Sequence, residues 1–210
     1  MASVWSQERL RGYSLSAGHP VARLDLSYDD VSGFYAAVSG SLAYSREYHL
    51  KPLDLQESVG FTRQLGDGPA IDVGIHNSNY SEYSRYGRPA GYTEAYAGLT
   101  GKALSGHVYL SPNYFHSRTW RLYGELEGGV QPAKGLLLSA HAGLLVPIAT
   151  GSYAAATKSK AQYDWRVAAA QDVGRVTMHL DLSGGGPSDD FYEGRSHNRT
   201  ALVAGASFVF

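Results

Sequence analysis

The chain has 210 residues and a formal net charge of −1, with 18 Lys+Arg against 19 Asp+Glu. That balance excludes a nucleic-acid binder held by a basic surface, and the absence of cysteine excludes disulfides, Cys-ligated zinc and a thiol nucleophile. Gly is frequent at 25 residues and Tyr at 16, and no apolar run is long enough for a transmembrane helix, which leaves a transmembrane β-barrel open.

Met1-Ala2-Ser3 leads straight into patterned sequence, with neither a basic n-region nor an apolar h-region. Period-2 alternation then runs through the chain. Phe34, Ala36, Val38, Gly40 and Leu42 share one face and Tyr35, Ala37, Ser39 and Ser41 the other. Ile71, Val73 and Ile75 alternate with Asp72, Gly74 and His76, and Trp120, Leu122, Gly124 and Leu126 with Arg121, Tyr123, Glu125 and Glu127. Leu136, Leu138, Ala140, Ala142, Leu144 and Val146 form one face of a long segment. Val176, Met178, Leu180 and Leu182 alternate with Thr177, His179 and Asp181. One apolar face per segment is the mark of a half-buried sheet.

The pattern predicts twelve strands, near 3–13, 20–29, 33–44, 52–63, 69–78, 91–101, 104–113, 119–130, 135–147, 160–170, 175–183 and 198–210. Short turns alternate strictly with longer loops at 14–19, 45–51, 79–90, 114–118, 148–159 and 184–197. An even strand number with short turns at one end and long loops at the other predicts an all-β fold: a single 12-stranded antiparallel transmembrane β-barrel domain spanning 1–210. The short turns are expected on the periplasmic side and the long loops outside the cell. The chain closes on an alternating strand ending Phe208-Val209-Phe210. A terminal Phe on a last strand resembles the signal read by the outer-membrane barrel assembly machinery, so Phe210 is expected to contact that partner.

Several segments resemble a known family. Leu10-Arg11-Gly12-Tyr13-Ser14-Leu15-Ser16 followed by Pro20-Val21 is similar to the opening of TorF-family porins. Ser32-Gly33-Phe34-Tyr35-Ala36, Tyr92-Thr93-Glu94-Ala95-Tyr96-Ala97-Gly98 and Gly135-Leu136-Leu137-Leu138-Ser139-Ala140-His141-Ala142-Gly143 match later strands of that family, in order. Gln7 and Glu8 stand where the family usually has Asp-Tyr. The resemblance implies a barrel in a bacterial outer membrane and a pore. It brings no catalytic mechanism.

Alternation alone allows two orientations, since a soluble barrel turns its apolar face inward and a membrane barrel turns it to lipid. Aromatics near strand ends, namely Tyr28, Phe34, Tyr44, Phe61, Tyr92, Trp120, Phe208 and Phe210, suit interfacial girdles and favour the membrane. The polar face then lines the lumen. It carries Asp25, Asp72, Glu94, Glu125, Glu127, Asp164 and Asp181 against Arg11, Arg23, Arg121 and Arg166, with His76, His107, His141 and His179. These fifteen residues are the expected pore lining, and the acid excess predicts a weak cation preference. The function read from this is a channel passing ions or small hydrophilic solutes. The alternative is a non-conducting structural or interaction barrel with a plugged lumen.

A lipid hydrolase is a third reading. It needs a Ser–His pair with an orienting partner; Ser139 and His141 share a face, but no third group and no Gly-x-Ser-x-Gly elbow accompany them. The histidines have no metal-ligand spacing, so no metal and no cofactor is expected. The acidic stretch Ser188–Glu193 lacks the regular spacing of a calcium loop. In the loop at 77–89, Tyr80, Tyr83, Arg85, Tyr86 and Arg88 are candidate contacts to lipopolysaccharide or sugars.

Overall fold

The computed structural model describes residues 1–46, 49–81, 90–116, 120–148, 161–186 and 200–210. The strands are β1 (Ala2–Trp5), β2 (Arg9–Leu10), β3 (Tyr13–Ser14), β4 (Val21–Asp29), β5 (Phe34–Ser45), β6 (His49–Gln64), β7 (Ala70–Tyr80), β8 (Ala90–Thr100), β9 (Leu104–Ser111), β10 (Trp120–Ala133), β11 (Leu136–Ile148), β12 (Gln162–Val173), β13 (Val176–Gly186) and β14 (Thr200–Phe208). Twelve of them close into one antiparallel barrel in sequence order, sealed where β1 pairs with both β14 and β4. β2 and β3 form a separate two-stranded sheet. Among the described residues no helix is long and apolar enough to cross a membrane.

The orientation question is answered by exposure. Leu24, Leu26, Val38, Val59, Ile75, Leu126, Leu144, Val167, Leu180 and Leu202 each keep 39% or more of their surface open, all on the outside of the wall. An outward belt of Leu and Val on every side is the surface of a barrel immersed in lipid, and a soluble barrel would have buried it. Tyr28, Phe34, Phe208 and Phe210 are exposed at the short-turn end, and Tyr44, Trp120 and Tyr163 at the other, which makes two aromatic bands.

The glycines have a structural use in this wall. Inward aromatic rings lie flat over glycine on the neighbouring strand: Tyr35 opposite Gly60, Tyr96 opposite Gly74 and Trp5 opposite Gly205. A Cβ on Gly60 or Gly74 would come within 2.5 Å of the tyrosine. The missing side chain is therefore room for a ring, a device that fixes cross-strand register.

The first predicted strand needs correction. It does not run from 3 to 13. The barrel strand stops at Trp5, and residues 6–19 turn into the lumen as a strap carrying the β2–β3 hairpin. The break follows from Arg11 and Gly12, the two central residues of that hairpin, with φ of 45° and 82°. Positive φ at both positions is the signature of a type I′ turn, which no continuing strand can accommodate. Gly12 also presses on β13, where a Cβ would sit 2.9 Å from the Gly184 carbonyl oxygen. Gly12→Ala is expected to cost about 1–2 kcal/mol from the left-handed backbone and that contact together. A urea midpoint in detergent that equals wild type contradicts the docked strap.

Candidate functional site

The barrel interior has two storeys. On the long-loop side, Leu15 from the strap packs in one cluster with Val21 of β4, Leu53 of β6, Tyr80 of β7, Tyr92 of β8, Tyr123 of β10 and Leu145 of β11. Tyr114 joins from the connection after β9 and Phe115 packs against it. Residues from opposite walls share this cluster, so apolar packing crosses the lumen. Its rings interlock: Tyr92 and Tyr114 centroids are 4.5 Å apart, and Tyr92 meets Phe115 edge-on at 4.7 Å.

Two aromatic expectations change here. Tyr80 is not a loop contact to the outside: it ends β7, is 1% exposed and stacks on Phe115 at 5.6 Å. Tyr92 is not a girdle residue, since it is buried in the same cluster. Both rings face inward because β7 and β8 extend to Tyr80 and Ala90, and alternation along them turns these positions to the lumen. Tyr83, Arg85, Tyr86 and Arg88, and the acidic stretch 188–193, lie outside the described residues.

Below the strap, toward the short turns, lies a chamber of about 440 Å³. Its lining includes Asp25, Glu125, Glu127, Asp164, Arg166 and Asp181, with Glu8, Arg9, Arg11 and Gly12 of the strap. Arg166 of β12 binds Glu127 of β10 at 2.7 Å and reaches Asp181 of β13 at 4.0 Å. Both members of the first pair keep about two-fifths of their surface open, so this pair is wet and worth little energetically. His141 of β11 meets Asp164 Oδ1 at 2.9 Å, and the Tyr123 hydroxyl donates to the same carboxylate.

The remaining expected residues sit around the same interior in separate groups. Arg23 bridges Asp25 at 2.8 Å and Glu8 at 3.3 Å and donates to Ser39 and Gln56. Asp72 accepts from the Tyr35 hydroxyl at 2.8 Å and lies 3.5 Å from His107, which faces Glu125 on its other nitrogen at 3.9 Å. Tyr35 and Tyr96 hydroxyls share a hydrogen bond. His76 pairs with Ser78 and His179 with Ser207, and the His179 ring lies 4.9 Å from Trp5. Arg121 is almost wholly buried on β10. These four histidines are thus spread round the wall in four different sets of polar contacts. His141 is committed to Asp164 and Tyr123, which is not the geometry of a Ser139–His141 nucleophile pair.

The strap's tip is a tightly held charge. Arg11 donates from two nitrogens to Glu94 of β8, at 2.7 and 3.1 Å, a fork-to-fork pair. Its guanidinium carbon is 3.8 Å from the Tyr123 ring centroid, with Tyr114, Tyr92 and Tyr109 at 5.3, 5.6 and 5.9 Å. Arg11 was expected on the wall; it reaches the wall from inside, across 83 residues of sequence.

The family description "Bacterial protein of unknown function (Gcw_chp)" matches residues 2–182. The chain belongs to this family. Among solved structures it is similar to the NanC porin, at 14% identity and a TM-score of 0.66 over 100% of both chains. The KdgM porin gives 11% and 0.60, covering 100% of this chain and 99% of that one, and KdgM in complex with disordered oligogalacturonate gives 12% and 0.53 over the same shares. The translocator domain of autotransporter NalP from Neisseria meningitidis gives 10% and 0.52, covering 85% of that chain. At these identities the likeness is one of fold: this member of the family shares the closed barrel of outer-membrane porins. No curated protein matches the sequence.

Some interior residues escaped sequence reading. Asp54 is buried beside Leu53 because β6 bulges at Leu53, opposite Ser41 and Leu42, and puts both adjacent side chains indoors, which breaks parity. Glu8 was hidden inside the supposed first strand. Tyr35, Tyr96, Tyr109 and Tyr123 were legible only through parity, since Tyr35 and Tyr123 alternate with the apolar face.

Proposed function

We propose that this protein is a bacterial outer-membrane channel, resembling TorF-family porins, that passes ions or small hydrophilic solutes with a preference for cations. The acid-rich chamber carries this reading: six carboxylates stand against four guanidinium groups in its lining, and an excess of one sign in a confined space selects permeating ions. The fold shared with NanC and KdgM supports it, as does the lipid-facing belt. The KdgM complex holds an oligogalacturonate, a polyanion, whereas the charge of this chamber suits cations. Its surroundings would be outer-membrane lipid and lipopolysaccharide, with Phe210 offered to the assembly machinery.

A second reading has its own observation. The apolar cluster crossing the lumen fits a barrel that does not conduct. Planar-bilayer recording under a salt gradient separates the two. The channel reading predicts discrete steps with a reversal potential favouring cations. It also predicts that Glu127→Lys, a change of two charges in the wet chamber, moves that potential toward anions by several millivolts. A folded, inserted and silent protein supports the plugged barrel instead.

A further inference from the structure

We propose that Glu94 and the rings of Tyr92, Tyr109, Tyr114 and Tyr123 form a binding site for solutes bearing a guanidinium or alkylammonium group, occupied in the closed barrel by the chain's own Arg11. As an account of what the barrel transports, this rests on the channel reading above. The site itself rests on geometry.

Four electron-rich faces lie within 6 Å of one guanidinium carbon, and a bidentate carboxylate closes the end. This is the aromatic-cage arrangement by which proteins recognise organic cations. One member of the set, Arg11, hangs from the strap inside the lumen rather than from the wall and its connections. The cage and Glu94 are built on β8, β9, β10 and the Tyr114 turn, whereas Arg11 hangs from a hairpin on the strap. Arg11 also occupies a turn position with φ of 45°, where Asn, Asp or Gly is ordinarily found. A residue held there against its backbone preference is there for its side chain. It acts as a built-in ligand.

The chamber supplies the approach. Glu125 and Asp164 line it next to Tyr109 and Tyr123, to which they are hydrogen-bonded, so a cation in the chamber is led by carboxylates to the cage. An incoming guanidinium that takes Glu94 releases Arg11, and with it the tip of the strap that narrows the lumen. A tethered group competes at an effective concentration in the millimolar range, so a free solute must be present at comparable levels to win. Ligand entry then widens a path that already conducts.

The test uses methylguanidinium on refolded protein in detergent, read by calorimetry, with urea as the uncharged planar control. Arg11→Ala removes the tethered competitor and is expected to bind methylguanidinium at least about tenfold more tightly than wild type or the Arg11→Ala/Glu94→Gln double variant, with no response to urea. Equal binding by Arg11→Ala and the double variant overturns the site. Should Arg11→Ala fold poorly, the readout becomes refolding yield. Recovery with methylguanidinium and not with urea supports the site, and no recovery overturns it. Tight binding with a bilayer that stays silent at millimolar methylguanidinium overturns the transport half and the channel reading while keeping the site. Conductance without binding overturns the site and keeps the channel.

Discussion

Glu94→Ala is expected to be the most damaging single change in the lumen. It leaves the Arg11 guanidinium enclosed by rings with its carboxylate partner gone. Removing one member of a buried ion pair costs about 3–5 kcal/mol, because the other charge stays behind uncompensated. Glu94→Gln should cost less, since its amide oxygen still accepts from the guanidinium. The diagnostic is the double variant Arg11→Met/Glu94→Ala, in which neither charge remains. Its urea midpoint should lie closer to wild type than that of Glu94→Ala alone. Additive losses for the two substitutions would show that the pair is not coupled and that the strap is held by something else.

Leu180→Arg tests the orientation of the wall. Leu180 lies in the middle of β13, paired with Ala169 on one side and Ala204 on the other, and half of its surface is open on the outside. In a bilayer that position meets hydrocarbon, and an arginine at mid-depth of a barrel costs about 2–4 kcal/mol. Its neighbour Asp181 points the other way, into the chamber. Asp181→Asn is expected to leave insertion into vesicles intact, while Leu180→Arg lowers both stability and insertion yield. The reverse ranking would mean that the apolar belt does not face lipid.

These two neighbours also show why so much of the fold was legible. A wall strand with lipid on one side and charge on the other must alternate, so parity gave the face of Leu180 and Asp181 from the sequence alone. Gly and Asp in the short turns then delimited the strands. What parity could not give is the strap. Val4, Trp5, Arg11 and Tyr13 read as a single extended run, and only the Arg11-Gly12 pair marks a turn. The direction of that turn is decided by Glu94, far along the chain, and by room against Gly184. Tyr80 and Tyr92 failed for a related reason. Tyr80 read as a loop contact because β7 runs two residues past the expected end at 78, and an aromatic near a strand end such as Tyr92 suits a girdle or a plug equally well, the choice depending on what fills the lumen opposite it. Asp54 failed because a bulge resets the alternation on which every other assignment relied. The interior site is therefore visible in sequence as a set of inward charges, while its organisation around Arg11 is a tertiary fact.

The central claim is that a conducting lumen is narrowed by residues 6–19. Trp5 and Val21 are paired directly across β1 and β4, so an Asn-Gly turn can join them in place of residues 6–20. The measurement is single-channel conductance of that shortened protein beside wild type, both refolded and shown to be inserted. The account predicts unitary steps several-fold larger in the shortened barrel, still favouring cations. A shortened barrel that is inserted and as silent as, or no more conductive than, wild type would contradict it.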